Sequence, residues 1–505
     1  MFLYLYNNWL FFISCFVLLG FFLAILQNKK SYSVLIIILF FLLAFADITA
    51  LLITGEHIDL FCFFKVNFDI IKSGWKIIPD IFIYLVIFLL FLSFIIPIVF
   101  KISGLLLKLS KDKRKKVIII SFSICLPLFF ISQTTIAYVN LVKQYMLYLF
   151  NKPENVFWNN NKYVVSKNIK AEKGKNLVII YLESFENTFI ENDKFKHLTP
   201  NMRHLAADAS WYKYNNYNSC KGADNTSAAL WATQTSFPAF FATDMFTKIS
   251  QLKYLNINSW SNVLKAAGYK NVFISTDQIN FGGKGHLLGF WGYEIKNNLI
   301  AFNNWKDTPW KSHDLDMFEA AKKEYLELLK NQPFNLTLLT VDIHFPRGYP
   351  DSRLEGIINI DKKESTKFAL ASTDYLVGDF INFIYQQPES ENTVIVLLGD
   401  HDFKGNEIVN PFMIELRNLE RKVLFMTNKK IDNYEKGSPI YFYDIPGIIL
   451  NLLEVKNNAT FSKDLIPEMS KEFVEKNIHL FADFNEMMAT PFKNYINISE
   501  NNLKQ

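Results

Sequence analysis

The chain has 505 residues, 50% of them apolar and 16% aromatic, with 53 Lys and Arg against 48 Asp and Glu for a formal net charge of +5. A mean hydropathy of +0.11 excludes an ordinary water-soluble globular chain, and the basic segment 101–116 reads as a juxtamembrane loop, not as a nucleic-acid patch. The length allows two or more domains, and the long apolar runs crowd before residue 140, so a membrane half and a globular half are expected.

Four runs are long enough to span, since about 20 residues cross the hydrocarbon core: 9–27, 32–54, 78–100 and 117–139. The first lacks a basic start and a small-residue cleavage site, and it reads as an anchor rather than a cleaved leader. Lys29 and Lys30 follow it, and the densest basic segment, "KISGLLLKLSKDKRKK" (101–116), follows the third run. With both loops cytoplasmic by the positive-inside rule, everything after the fourth span lies outside. Residues 55–76 read either as an interfacial helix or as a plain loop. Asp47, inside the second span, is either functional or packed toward the bundle. Cys15, Cys62 and Cys125 belong to this half, leaving Cys220 as the lone thiol beyond it. One thiol makes no internal disulfide, so a large core must carry the stability.

After a polar connector (141–175), strand-like and helix-like patterns alternate through 176–505. "NLVIIYL" (176–182), "NVFIS" (271–275), "FNLTLLTV" (334–341) and "TVIVLLG" (393–399) are short apolar runs of the kind buried on both faces of a sheet. Helical patterns intervene, one with Pro200 in its first turn, another with Ser259 or Ser261 as cap and Gly268 as stop. The expected fold is an α/β sandwich around a mostly parallel sheet. Chemistry in such sheets collects beyond the carboxyl ends of the strands.

Polar residues stand at those ends. Glu183 and Ser184 follow the first run, Asp342 and His344 the third, and Asp400, His401 and Asp402 the fourth. A Glu, an Asp and a His from different strand ends suit one divalent cation, Mn²⁺, Zn²⁺ or Mg²⁺. Thr226, in "CKGADNTSAALWATQTSFP", opens a helix whose N-terminus favours phosphate, and a metal-activated hydroxyl there is a nucleophile. The competing reading makes Asn225, Thr226 or Ser227 a plain helix cap. Gly222 and Ala223 are expected to leave room for a phosphodiester.

In order and spacing, "NLVIIYLESFENTFI", "KGADNTSAALWATQTSFP", "FGGKGHLLGFWGYE", "TVDIHFPRGY" and "TVIVLLGDHD" resemble the phosphoglycerol transferase and lipoteichoic acid synthase family of the alkaline phosphatase/sulfatase superfamily. The resemblance implies an α-helical transmembrane domain joined to a sulfatase-like α/β domain. It makes Glu183, Asp400 and His401 metal ligands, Thr226 the nucleophile that also touches the metal, and Mn²⁺ the expected ion. It also places His344 near the transferred phosphate, as binder or proton donor, and Lys284 where relatives carry a basic phosphate-binding residue. Gly282 departs from the aromatic that some relatives carry there. Trp310, His313 and Asp314 are candidates for the headgroup pocket, with a capped surface helix as their alternative. His286 is a weaker candidate. His197, His204 and His479 read as surface or packing residues, Asp342 and Asp402 as supporting ones.

The expected activity is transfer of phosphoglycerol from phosphatidylglycerol, a membrane phospholipid donor, to an acceptor hydroxyl on an envelope glycan or lipid. The expected location is the bacterial inner membrane, multi-pass, with the catalytic domain periplasmic. Four spans, against the five common in lipoteichoic acid synthases, lean toward the glucan-modifying type. The alternative is phosphoethanolamine transfer to lipopolysaccharide or another envelope glycoconjugate, although a lone Cys220 is unlike the disulfide-rich enzymes that modify lipid A. A sulfatase needs Cys or Ser in a Cys/Ser-x-Pro-x-Arg context, which "CKGAD" does not offer. A catalytically dead scaffold does not account for the whole set of site residues, nor does a transporter account for so large an outer domain.

Overall fold

In the computed structural model, residues 30–54, 57–60, 104–150, 169–239, 257–280, 283–300, 308–405 and 410–477 are described, together with scattered residues elsewhere. The chain divides into two compact units, Met1–Phe150 with Lys404–Met413 and the remainder.

In the first unit, α1 (Lys30–Thr54), α2 (Lys111–Ile131) and α3 (Gln133–Phe150) are described. Among the described residues no single helix is long and apolar enough to cross a membrane, but α2 and α3 qualify together, bent by 64° at their junction. The run 117–139, expected as a span, is thus divided between two helices. Ser132 causes the break. Its backbone is extended (ψ 141°), its hydroxyl donates to the Phe129 carbonyl, and the same oxygen accepts Thr135 N–H at 3.3 Å, so one residue ends α2 and caps α3. Helix α3 also continues past 140, where the connector was expected, because Lys143 and Gln144 do not interrupt a helical run. Asp47 is fully buried, accepting Thr134 Oγ1 at 2.8 Å and Ile58 N–H at 2.9 Å. It ties α1 to α3, as packing toward the bundle requires. Most of the runs 9–27, 55–76 and 78–100 lies outside the described residues.

The second unit is built on β1 (Asn176–Leu182), β2 (Tyr212–Lys213), β3 (Tyr217–Asn218), β4 (Lys270–Ser275), β5 (Glu294–Ile295), β6 (Phe334–Leu339), β7 (Thr393–Gly399), β8 (Phe425–Thr427) and β9 (Ile440–Tyr441). Seven of these form one sheet in the order β2-β8-β7-β1-β6-β4-β5. Strands β7, β1, β6, β4 and β5 run parallel, and β8 adds antiparallel to β7. Every residue of β1, β6 and β7 is buried, which is why these strands read as unbroken apolar runs. Strands β3 and β9 pair separately.

The helices that matter for the site are α4 (Pro200–Ala207), α5 (Thr226–Thr235), α6 (Trp260–Ala266), α7 (Lys284–Phe290), α8 (Asp314–Leu328) and α9 (Ser365–Tyr385). Ser259 caps α6, accepting Asn262 N–H, and Gly268 turns the chain away at φ +85°. The α4 N-terminus is capped from another helix: Asp374 of α9 accepts the backbone N–H groups of Asn201 and Met202.

Candidate active site

Register builds the site. Leu182 of β1 lies opposite Gly399 of β7, so the two strands leave the sheet side by side and deliver Glu183 and Asp400 as neighbours. Asp400 N–H still donates to the Leu182 carbonyl at 3.1 Å. Ser184 then turns in the left-handed region at φ 54°, an uncommon conformation for a residue with a side chain. Its N–H reaches Asp400 Oδ1 at 2.8 Å and its hydroxyl Glu183 Oε1 at 2.7 Å. Asp400 Oδ1 also accepts His401 N–H. The other oxygen, Oδ2, is buried with no hydrogen-bond partner among the described residues.

Glu183, Asp400 and His401 each offer a ligand atom within 4.8 Å of the others, and all three are buried. His401 Nδ1 lies 2.9 Å from the Asp402 carbonyl, which only accepts, so Nδ1 carries a proton and Nε2 faces the carboxylates. That nitrogen is 3.5 Å from both Glu183 Oε1 and Asp400 Oδ2. Burial first, and the Asp400 charge second, hold the Glu183 carboxyl well above its ordinary value, with His401 opposing. Two buried carboxylates, an oriented imidazole and an orphaned oxygen fit a divalent cation with oxygen and nitrogen donors.

Helix α5 brings the fourth donor. Its cap is Asn225, whose side chain accepts Ala228 N–H at 3.1 Å. Thr226 is the first helical residue, half-buried, and its Oγ1 donates to Glu183 Oε2 at 3.1 Å. Asn225 thus carries the cap, and the Thr226 hydroxyl points at the carboxylate cluster. Gly222 serves differently from expectation. It sits at φ +78°, where a Cβ would lie 2.7 Å from Pro238 Cβ, so its missing side chain makes room for Pro238, not for a ligand. Gly222→Ala is expected to cost about 2 kcal/mol, read as a lower thermal midpoint.

The loop ahead of α5 is fastened from far along the chain. Tyr443 Oη donates to the Lys221 carbonyl at 2.9 Å, and Ser236 Oγ, past the end of α5, donates to the Tyr443 carbonyl. Cys220 is buried beside them, its thiol pushed up to about 12 by burial. A thiol so protonated is no nucleophile.

A second cluster stands at the ends of β4 and β6. Lys284 is almost fully buried, 2.8 Å from Asp277 Oδ2. His344 lies within electrostatic reach of Lys284, Asp277 and His401, and desolvation lowers it to about 4, the Phe345 carbonyl opposing. That carbonyl sits 2.7 Å from Nδ1, so the neutral ring carries its proton there and Nε2 is a proton acceptor at neutral pH. The Trp310 ring packs edge-on against His344, centroids 4.8 Å apart, with Tyr349 beyond it. Trp310 Nε1 is buried without a partner among the described residues.

His313, a candidate for the headgroup pocket, is packed inside the domain. It is wholly buried, its Nδ1 3.0 Å from Asp342 Oδ1, and such a ring cannot touch a headgroup. Asp314 is buried with it, and Asp342 Oδ2 accepts the Asp314 N–H at 2.9 Å. His286 is exposed with its ring on Phe290, and His197 and His204 are exposed. His479 and Gly282 lie outside the described residues. Asp277 escaped notice although the strand-end rule, applied to β4, points to it. Glu186 did too: it is buried, accepts Phe403 N–H at 2.9 Å and pairs with Arg421, steadying the segment after His401.

Residues 175–447, more than half of the chain, match the sulfatase family. Phosphoglycerol transferase I of Citrobacter koseri is 32% identical over 237 residues, covering 45% of this chain and 30% of that protein. The protein of the same name from Xanthomonas campestris pv. campestris is 27% identical over 268 residues, covering 50% and 37%. The matches thus span about a third of those relatives' lengths. Among solved structures, the lipoteichoic acid synthase LtaP from Listeria monocytogenes aligns with a TM-score of 0.47 at 20% identity, over 58% of this chain and 76% of that one. The integral membrane lipooligosaccharide phosphoethanolamine transferase A from Neisseria meningitidis aligns with a TM-score of 0.44 at 12% identity, over 90% and 97%. With its motifs in order across the matched segment and their residues gathered at the strand ends, the chain belongs to the sulfatase family, within the alkaline phosphatase superfamily.

Proposed function

We propose that this protein is a membrane-anchored transferase that moves phosphoglycerol from phosphatidylglycerol to a hydroxyl of an envelope glycan through a covalent phospho-threonine. The observation that carries the reading is the Thr226 hydroxyl, relieved of capping by Asn225 and aimed at Glu183. Relatives named phosphoglycerol transferase I support the headgroup. Apolar runs, including the bent α2–α3 pair, support placement beside a lipid donor, which raises its effective concentration.

Glu183, Asp400, His401 and Thr226 are the residues that would hold a divalent cation. Such a cation, when bound, supplies a lowered hydroxyl pKa and charge neutralisation at phosphorus. In the first step Thr226 Oγ1 attacks phosphorus, the bond to the diacylglycerol oxygen breaks, and the proton given up by Thr226 ends on that oxygen, which leaves as diacylglycerol. In the second the acceptor oxygen attacks, the Thr226 ester bond breaks, and His344 Nε2, neutral and unprotonated at rest, accepts the acceptor's proton, which ends on Thr226 Oγ1 and restores the hydroxyl. Lys284 supplies positive charge for the phosphate oxygens, with Asp277 fixing its ammonium. The N-terminus of α5 contributes its dipole, and Trp310 shapes the wall beside His344.

Reconstituted protein is expected to release diacylglycerol from phosphatidylglycerol and not from phosphatidylethanolamine, and excess chelator should stop it. Release from phosphatidylethanolamine alone would replace this reading with phosphoethanolamine transfer, and release unaffected by chelator would remove the metal. Mass spectrometry of envelope glycans with and without active protein identifies the acceptor.

A further inference from the structure

The turn that carries His344 is bolted to the start of α8 by a reciprocal pair of aspartates. Asp314, the first residue of α8, accepts Val341 N–H at 2.8 Å and Asp342 N–H at 3.1 Å, one on each carboxylate oxygen. Asp342 returns the contact, accepting Asp314 N–H at 2.9 Å on Oδ2 and facing His313 Nδ1 at 3.0 Å with Oδ1. All three side chains are buried. Burying two like charges side by side is costly unless their oxygens are satisfied, and here each is taken by a backbone or ring nitrogen.

The clamp joins the segments that hold the two sides of His344. Upstream of His313, Lys311 N–H donates to the Thr276 carbonyl at 2.9 Å, and Trp310 lays its ring against the His344 ring. Downstream of Asp342, His344 N–H donates to the Val341 carbonyl at 3.0 Å and Tyr349 N–H returns to the Asp342 carbonyl at 2.6 Å. Sliding α8 along its axis would therefore shift the His344 backbone and the ring that packs on it together.

We infer that His313, Asp314 and Asp342 are positioning residues, acting through His344 to fix the direction in which its Nε2 faces the transferred phosphate. The inference rests on the proposed transferase reading for its kinetic consequence, but not for its structural one. Asn in place of Asp314 offers one acceptor oxygen and one NH₂ group where two backbone donors arrive, so one of the two bonds must be lost. Misplacement of a reacting group by about 1 Å costs on the order of 10²-fold in rate.

The test uses the full chain with ¹⁵N-labelled histidine, the His344 signals being assigned by their loss in His344→Gln. In the wild type His344 is expected as the tautomer protonated on Nδ1, held by the Phe345 carbonyl. Asp314→Asn is expected to mix the tautomers. In diacylglycerol release the same substitution should lower kcat about 10- to 100-fold with KM nearly unchanged. In a His344→Ala background it should lower kcat no further, because residues acting as one unit are non-additive. Should Asp314→Asn not fold, His313→Ala gives the same comparison, with His313→Asn restoring a donor to Asp342. His344 signals identical in variant and wild type overturn the proposal, as does an equal loss of kcat in both backgrounds. If the wild type releases diacylglycerol from neither phospholipid, the transferase reading falls while the spectra still decide the clamp.

Discussion

Thr226→Ala is expected to remain folded and to transfer nothing. Removing a nucleophile that no neighbour replaces costs about 10³-fold or more, and no other hydroxyl is seen bonded to Glu183 Oε2 among the described residues. Cys220 is no substitute, being buried and protonated. The stability cost is small by comparison: one partly exposed hydrogen bond is worth about 1 kcal/mol, and the cap on Asn225 stays in place. Thr226→Ser should keep measurable activity, because it retains the oxygen and loses only a methyl. Intact-protein mass spectrometry after mixing with phosphatidylglycerol gives the second readout, a phosphoglycerol adduct that appears with Thr and Ser and not with Ala. Normal diacylglycerol release by the Ala variant would overturn the nucleophile assignment.

Glu183→Gln is expected to abolish activity and yet raise the stability of the metal-free protein. In that state Glu183 is held above its ordinary 4.5 by burial and by Asp400. A carboxyl whose folded pKa exceeds its unfolded value binds more protons when folded, so stability falls as pH rises above 4.5. Gln has no charge to bury and escapes that loss. Added Mn²⁺ should reverse the order. Ligand at about 100 times its Kd stabilises the wild type by about 2.7 kcal/mol, and the variant, one donor short, by much less. Thermal melts at pH 5 and pH 8, with and without Mn²⁺, check this. Equal metal-induced shifts in both proteins would remove Glu183 from the ligand set.

Strands whose two faces are both covered were legible in the sequence because burial leaves an unbroken apolar run: β1 and β7 begin and end where 176–182 and 393–399 do. The strand ends offered Glu183, Asp400 and His401 among several polar residues, the family resemblance singled them out, and the structure gathers them. By local pattern Thr226 was ambiguous, because Asn225, Thr226 and Ser227 all cap well; the resemblance chose Thr226, and in the structure Asn225 takes the cap while Thr226 faces Glu183. The role of His313 was not legible, since its partner Asp342 is twenty-nine positions away and a buried histidine looks like a surface one in a string of letters. The bend at Ser132 was hidden for another reason. Hydropathy counts apolar residues and takes no account of a single serine hydroxyl that ends one helix and begins the next.

The fastening of the Thr226 loop by Tyr443 bears on where this domain can be cut. The last of the candidate ligands along the chain is His401, and a fragment trimmed shortly after it would hold every residue of the candidate centre. It would lack the tyrosine to which Lys221 and Ser236 are moored, together with β9, on which β3 pairs Tyr217 with Ile440. Such a fragment would keep the full chemical inventory with a slack nucleophile loop. A smallest working unit is therefore expected to reach beyond the 440s, into sequence that supplies none of the side chains of the candidate centre.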